Sequence, residues 1–269
     1  MDVSPFISRA LLSALGIGIL IISGCGNRFD LSTERGRQAR IDEANFHLSK
    51  GNCGAALEAI EPVYISPDVD DEVRIVRASA KACAGTFNLL TFITNIAGAS
   101  NYLSALAKSL SNSTGDGARS AFYEAVDSLT RNGSLMNASA RSVSVNTYMV
   151  FLQMGVVGSI LRNYGDPSVD GAQGTDLVYD GNGGSPPGQM ANEDACALAA
   201  SLAMITDSYT YSSLKDGDTA AFANTINSLC TSAGLTSCND LNKSRSACDG
   251  SNADSQQAEA VVNGVNAAW

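Results

Sequence analysis

SVSVNTYMVFLQMGVVGSILRN, residues 142–163, is the most apolar stretch of the chain beyond its N-terminal segment. Val145, Tyr148, Met149, Leu152, Val156 and Ile160 recur at helical spacing, and Val150, Phe151, Met154 and Val157 fill much of the opposite side. A helix that is apolar all round belongs in an interior. Asn146, Gln153 and Ser159 interrupt the run, so it reads as the buried central helix of a folded body rather than a membrane span. Gly155 and Ser159, one turn apart, offer a strip on which a neighbouring helix can pack closely. The composition agrees. Hydrophobic residues make up 45% of the 269 and charged residues 16%, which is a folding composition, while aromatics are only 6%. Small residues dominate instead, and they favour close helix packing. The fold class expected is therefore all-α, a helical hairpin array continuing into an Ala-rich helical bundle.

Downstream of this helix, Gly165–Asp194 is a thirty-residue break holding seven Gly, three Pro and five Asp. It reads as a solvated acidic loop. Asp166, Asp170, Asp176 and Asp180 are the residues that could offer oxygen ligands to Ca²⁺, although their spacing misses the EF-hand pattern. Helices resume over Glu193–Ser208 and Thr219–Leu229, and the tail from Ser251 forms a last helix with Trp269 packed back. Upstream, Tyr102–Leu110 and Ala118–Thr130 are helical, separated by a turn at Asn112–Gly117. Carboxylate pairs such as Asp70-Asp71 and Glu193-Asp194 fall where helix N-termini are expected, where negative charge offsets the helix dipole.

Nearer the N-terminus, Gln38–Ser49 carries Ile41, Ala44 and Leu48 on one face, and Gly54–Glu61 carries Ala56, Leu57 and Ile60, with Pro62 placed to end or kink it. Asp70–Ala84 and Leu89–Ile96 repeat the pattern. Gly51 and Gly85 stand at equivalent turns 34 residues apart, and Ala44 aligns with Ala78. Over residues 38–98 this resembles a pair of tetratricopeptide (TPR) repeats. It departs from that family in lacking the early aromatic of the first helix, in Pro62, and in Leu90, which replaces a small residue. The resemblance implies a solenoid with a concave, partner-binding groove. It also implies that Cys53, opening one helix, and Cys83, closing the next antiparallel one, are disulfide-bonded neighbours.

The first 24 residues have a short n-region with Arg9, an apolar run from Ala10 to Ile22, and the small residues Ser23 and Gly24 before Cys25. These are the parts of a secretory signal, and the run is short for a permanent span. Leu20-Ile21-Ile22-Ser23-Gly24-Cys25 resembles the lipobox of bacterial membrane-anchored lipoproteins. The resemblance implies cleavage before Cys25, acylation of Cys25 with palmitate-type chains, and tethering in the cell envelope. Gly26 rather than Asp after the cysteine leans towards the outer membrane, with the protein facing the periplasm. The expected organisation is a signal peptide over 1–24, a lipidated tether over 25–37, TPR-like hairpins over 38–98, and a helical domain over 99–269 containing the 165–194 loop.

Cysteine number fits that compartment. Of seven cysteines, subtracting Cys25 leaves Cys53, Cys83, Cys196, Cys230, Cys238 and Cys248, an even set suited to disulfides in an oxidising space. An antiparallel hairpin of the two helices after the loop would bring Cys196 to Cys230 and leave Cys238 for Cys248. That is one of three connectivities open to these four.

Net charge is −10. An acidic body repels phosphate and offers no basic patch to anionic headgroups, so nucleic acid is not an expected partner and membrane contact falls to the anchor. The chain contains one histidine, His47, which cannot build a multi-histidine metal site. No G-x-S-x-G elbow, P-loop or dinucleotide fingerprint occurs. No catalytic residue, metal or cofactor is assigned. The expectation is a non-enzymatic lipoprotein that engages an envelope protein in assembly or transport. The alternative is a small-ligand or calcium-dependent binding lipoprotein.

Overall fold

In a computed structural model, residues 30–65, 69–86, 94, 99–110, 116–184, 188–214, 218–248 and 252–269 are described. The expected signal segment over 1–24, Cys25 and all but one residue of the expected Leu89–Ile96 helix lie outside them. The chain divides into two units, Met1–Arg40 and Ile41–Trp269. In the first, Asp30 organises a turn, its carboxylate accepting from the Ser32 amide at 3.0 Å.

Among the described residues there are nine α-helices and no strand: α1 Glu34–Ser49, α2 Cys53–Tyr64, α3 Asp71–Ala84, α4 Tyr102–Ser109, α5 Asp116–Thr130, α6 Val143–Tyr164, α7 Asn192–Thr210, α8 Asp218–Ser232 and α9 Ala253–Ala268. The all-α expectation holds. Several boundaries follow from capping chemistry. Asp70, Asn101, Ser142 and Asn252 each accept a hydrogen bond from the backbone N–H three residues on, at 2.9, 3.0, 3.3 and 2.7 Å. Each such cap contributes about 1 kcal/mol. Gly51, at φ +71°, makes the turn between α1 and α2. Pro62 does not end α2, which continues to Tyr64. The missing proline N–H costs one hydrogen bond close to a terminus where the ladder is already finishing.

Helix α6 is the centre of the second unit. By length and composition it could cross a membrane, yet α3, α4, α5 and α7 all pack on it. Val145, Met149, Leu152, Val156, Ile160 and Tyr164 are fully or almost fully buried. Close approach comes from Gly155 and Gly158, not from Gly155 and Ser159. A methyl group on Gly155 would lie 2.7 Å from the Phe122 ring, and one on Gly158 would lie 2.7 Å from Leu110 Cδ1 and 2.9 Å from the Leu106 carbonyl oxygen. Ser159 instead turns its hydroxyl onto the Val156 carbonyl at 2.8 Å. Around this centre, α3 packs on α2 and α5, while α7 packs on α8 and α9. Arg77 ties three helices together. It grips Glu61 of α2 through Nε at 2.8 Å and Nη2 at 3.2 Å, and reaches Ser128 of α5 at 2.5 Å.

All six cysteines from Cys53 onward are paired. Cys53 joins Cys83 with Cα atoms 5.5 Å apart, the pair expected from the sequence. The other two bonds correct the expected pairing: Cys196 joins Cys248 and Cys230 joins Cys238. The cause is a tight return at the end of α8. The Leu235 amide donates to the Cys230 carbonyl at 3.0 Å, so the chain folds back and delivers Cys238 with its Cα 5.2 Å from that of Cys230. The following segment is clamped by Arg245 to Asp127 of α5 and Glu193 of α7. That clamp carries Cys248 to the first turns of α7.

Among the described residues of the 165–194 stretch the acidic side chains Asp166, Asp170, Asp176 and Asp180 are exposed as expected, but the segment is also anchored. Leu177, Tyr179 and Met190 are buried in the core. The Gly174 and Thr175 amides donate to the Gly165 carbonyl at 3.0 and 2.8 Å, and Val178 forms an isolated parallel bridge with Gln189. Helix α9 holds the segment from outside. Asn266 accepts from the Leu177 amide at 2.7 Å, and the Trp269 indole N–H donates to the Gly171 carbonyl at 2.9 Å. The terminal aromatic therefore packs back as expected.

Candidate functional site

A cavity of about 400 Å³ opens among α5, α6, α7 and the turn at Lys243–Ser246. Its apolar wall comes from Val126, Val156, Ala197, Ala200, Met136 and Met204. Two polar side chains stand in that wall, Gln153 of α6 and Ser201 of α7, each 2% exposed. The Gln153 amide nitrogen faces thioether sulfurs, Met204 at 3.1 Å and Met149 at 3.5 Å. Sulfur is a weak acceptor. Among the described residues neither the Gln153 side-chain oxygen nor the Ser201 hydroxyl has a hydrogen-bond partner, and neither is sealed from the cavity.

The rim is charged but internally neutralised. Arg245 donates to both Asp127 oxygens, at 2.8 and 3.0 Å, and to Glu193 at 3.0 Å, while its guanidinium lies 5.0 Å from the Tyr123 ring centre. The hydrogen bonds and charge of Asp127, reinforced by Glu193, raise the Arg245 pKa. Lys243 is paired with Asp207, whose carboxylate also accepts from the Ala138 amide at 3.0 Å.

Beside this cavity, a buried carboxylate cluster fastens α5, α6 and α7. Asp194 is 5% exposed. It accepts from Tyr123 and Tyr164 hydroxyls, both at 2.5 Å, and from Arg119 Nε at 3.2 Å. Burial, then the adjacent Asp194, pushes both tyrosines well above their ordinary pKa. The Glu193-Asp194 pair does lie in the first turn of α7, but the Asp194 side chain is a packing hub as well as a dipole partner. Another buried cation, Arg141, donates to Asn146 at 3.0 Å and Ser208 at 2.8 Å; burial lowers its pKa to about 10.

The residues singled out from sequence do not converge. His47 is half-buried on α1 with its ring edge-on to Phe46. Asp170 accepts from the Ser168 hydroxyl and the Ala172 amide, and Asp180 from the Asn182 amide at 3.0 Å, so each carboxylate caps its own turn. Those contacts lower both pKa values, chiefly the Ser168 hydrogen bond for Asp170 and the Asn182 amide for Asp180. Among the described residues, no three His, Cys, Asp or Glu side chains are arranged to hold a metal. Cys25 lies outside the described residues. The cavity was missed, although Gln153 was visible as a polar interruption in the most apolar helix. No protein-family model, curated protein or solved structure matches the chain.

Proposed function

We propose that this chain is an envelope lipoprotein, tethered through acylated Cys25 at the outer membrane and facing the periplasm, that acts as a non-enzymatic interaction module. The observation that supports it is the cysteine arithmetic in three dimensions. Three intramolecular disulfides consume Cys53, Cys83, Cys196, Cys230, Cys238 and Cys248, and Cys25 is the cysteine left over, at the end of an apolar leader. Disulfides persist in oxidising compartments, and multiple acyl chains anchor stably. A binding rather than catalytic role fits the strongest acid–base cluster, because Asp194 is occupied by two tyrosines and Arg119.

The test compares wild type with Cys25→Ser in envelope fractionation, labelled-palmitate uptake and crosslinking pull-down. Wild type should be labelled, membrane-bound and recovered with an envelope partner. A Cys25→Ser variant that labels and fractionates identically refutes the anchor.

A second reading, a small-ligand binding lipoprotein, is favoured by the cavity with its open Gln153 and Ser201 groups. Its calcium form draws no comparable support, since Asp170 and Asp180 are spent on their own turns. A calcium-dependent rise in melting temperature would restore it.

A further inference from the structure

We infer that the cavity between α5, α6 and α7 binds a small neutral molecule with an amide-type head and a short aliphatic body; this deepens the small-ligand reading and rests on it. Burying a polar group without a partner costs about 1–3 kcal/mol. The Gln153 side-chain oxygen and the Ser201 hydroxyl, on residues only 2% exposed, avoid that cost by opening into one cavity, where water or a ligand can meet them. An adventitious core polar residue is normally satisfied by a neighbour. Here the Gln153 nitrogen has only the sulfurs of Met149 and Met204, and its oxygen has no protein donor.

The chemistry of these atoms selects the head group. The Gln153 oxygen accepts only, so the ligand must present an N–H or O–H. The Ser201 hydroxyl can then donate to a carbonyl. A carboxamide carries both groups on one carbon. An anion is disfavoured, because it would face the Gln153 oxygen and because the rim cations are already engaged: Arg245 by Asp127 and Glu193, Lys243 by Asp207. The body of the ligand meets mainly alanine, valine and thioether surface, with Tyr123 the one aromatic residue of the lining, which suits an aliphatic chain. A volume of about 400 Å³ lies within the range of small-molecule sites.

The test uses the full chain in nanodiscs with ¹³C-methyl-labelled methionines. Met136 and Met204 line the cavity, and Met190 does not. Hexanamide, and hexanoate as its charged counterpart, are titrated in. Hexanamide should move the Met136 and Met204 methyl signals saturably while Met190 stays still, and hexanoate should bind at least tenfold more weakly. Gln153→Leu should abolish saturation, and Ser201→Ala should weaken binding several-fold, providing a second arm if Gln153→Leu does not fold. Hexanoate binding as well as hexanamide overturns the head-group assignment alone. Hexanamide binding equally to wild type and both variants overturns the assignment to Gln153 and Ser201. No saturable shift with either probe overturns this inference and the small-ligand reading together. Lipoprotein anchoring is tested separately through Cys25.

Discussion

Removing the disulfides one at a time gives a graded set of stabilities set by topology. Replacing Cys196 and Cys248 together by Ala opens a crosslink of sequence separation 52, Cys53 with Cys83 one of 30, and Cys230 with Cys238 one of 8. Loop-closure entropy alone predicts losses of about 4.1, 3.6 and 2.5 kcal/mol respectively at 25 °C. Trimming a buried sulfur adds a cavity cost. That cost applies to Cys196, Cys248, Cys230 and Cys238, all buried, so it nearly cancels when the Cys196–Cys248 and Cys230–Cys238 bonds are compared. Their difference, about 1.6 kcal/mol, is therefore the sharpest quantity. Guanidinium unfolding followed by far-UV circular dichroism measures it, and the slope should rise in each variant as the unfolded chain expands. The connectivity has its own assay. In Cys196→Ala the thiol set free should be Cys248, found by maleimide labelling of the denatured chain and peptide mapping. Label on Cys230, or equal losses for the two double variants, would refute the reasoning.

The helix crossings make a second prediction. Gly158→Ala should cost near the top of about 1–3 kcal/mol, because the new methyl meets the Leu106 backbone, whereas Gly155→Ala meets only the Phe122 ring and should cost less in the same unfolding assay. Alkaline titration followed at 295 nm should show Tyr123, Tyr148 and Tyr164 ionising above the ordinary tyrosine range, with Tyr148 at about 12. Their folded values are raised above the unfolded value of about 10, so the stability they contribute is intact below that pH and is lost as pH rises through the folded values. Asp194→Asn should bring Tyr123 and Tyr164 down, because it removes the neighbouring negative charge. Trp269, the single tryptophan, rests against Gly165 and Gly171. Its emission should red-shift in step with loss of helix, and an earlier separate transition would show that the 165–191 segment opens independently.

Much of the helical architecture was legible because it is written locally. The stripe and apolar flanks of 142–163 predicted α6 and its burial, and Asp70, Ser142 and Gly51 mark boundaries through chemistry that acts within three residues. The 34-residue register led to Cys53–Cys83. The functional surface was legible only in fragments. Gln153 stood out as polar in an apolar run, but its open oxygen depends on Met149 and Met204 being its only near partners. Asp194 read as a helix-dipole partner, and nothing local says that tyrosines from α5 and α6 converge on it.

The sequence alone thus determined the helix content, the central element, an even set of cysteines beyond Cys25, and the lack of recognisable catalytic motifs. Each depends on periodicity, capping or counting, which operate over a few residues. Only the tertiary structure decided how Cys196, Cys230, Cys238 and Cys248 pair, why the Gly- and Asp-rich segment after α6 buries Leu177, Tyr179 and Met190, and where a cavity lies. Those outcomes depend on long-range contacts, such as Arg245 with Asp127 and Asn266 with Leu177, whose partners are far apart in the chain and become neighbours only when the helices close around α6.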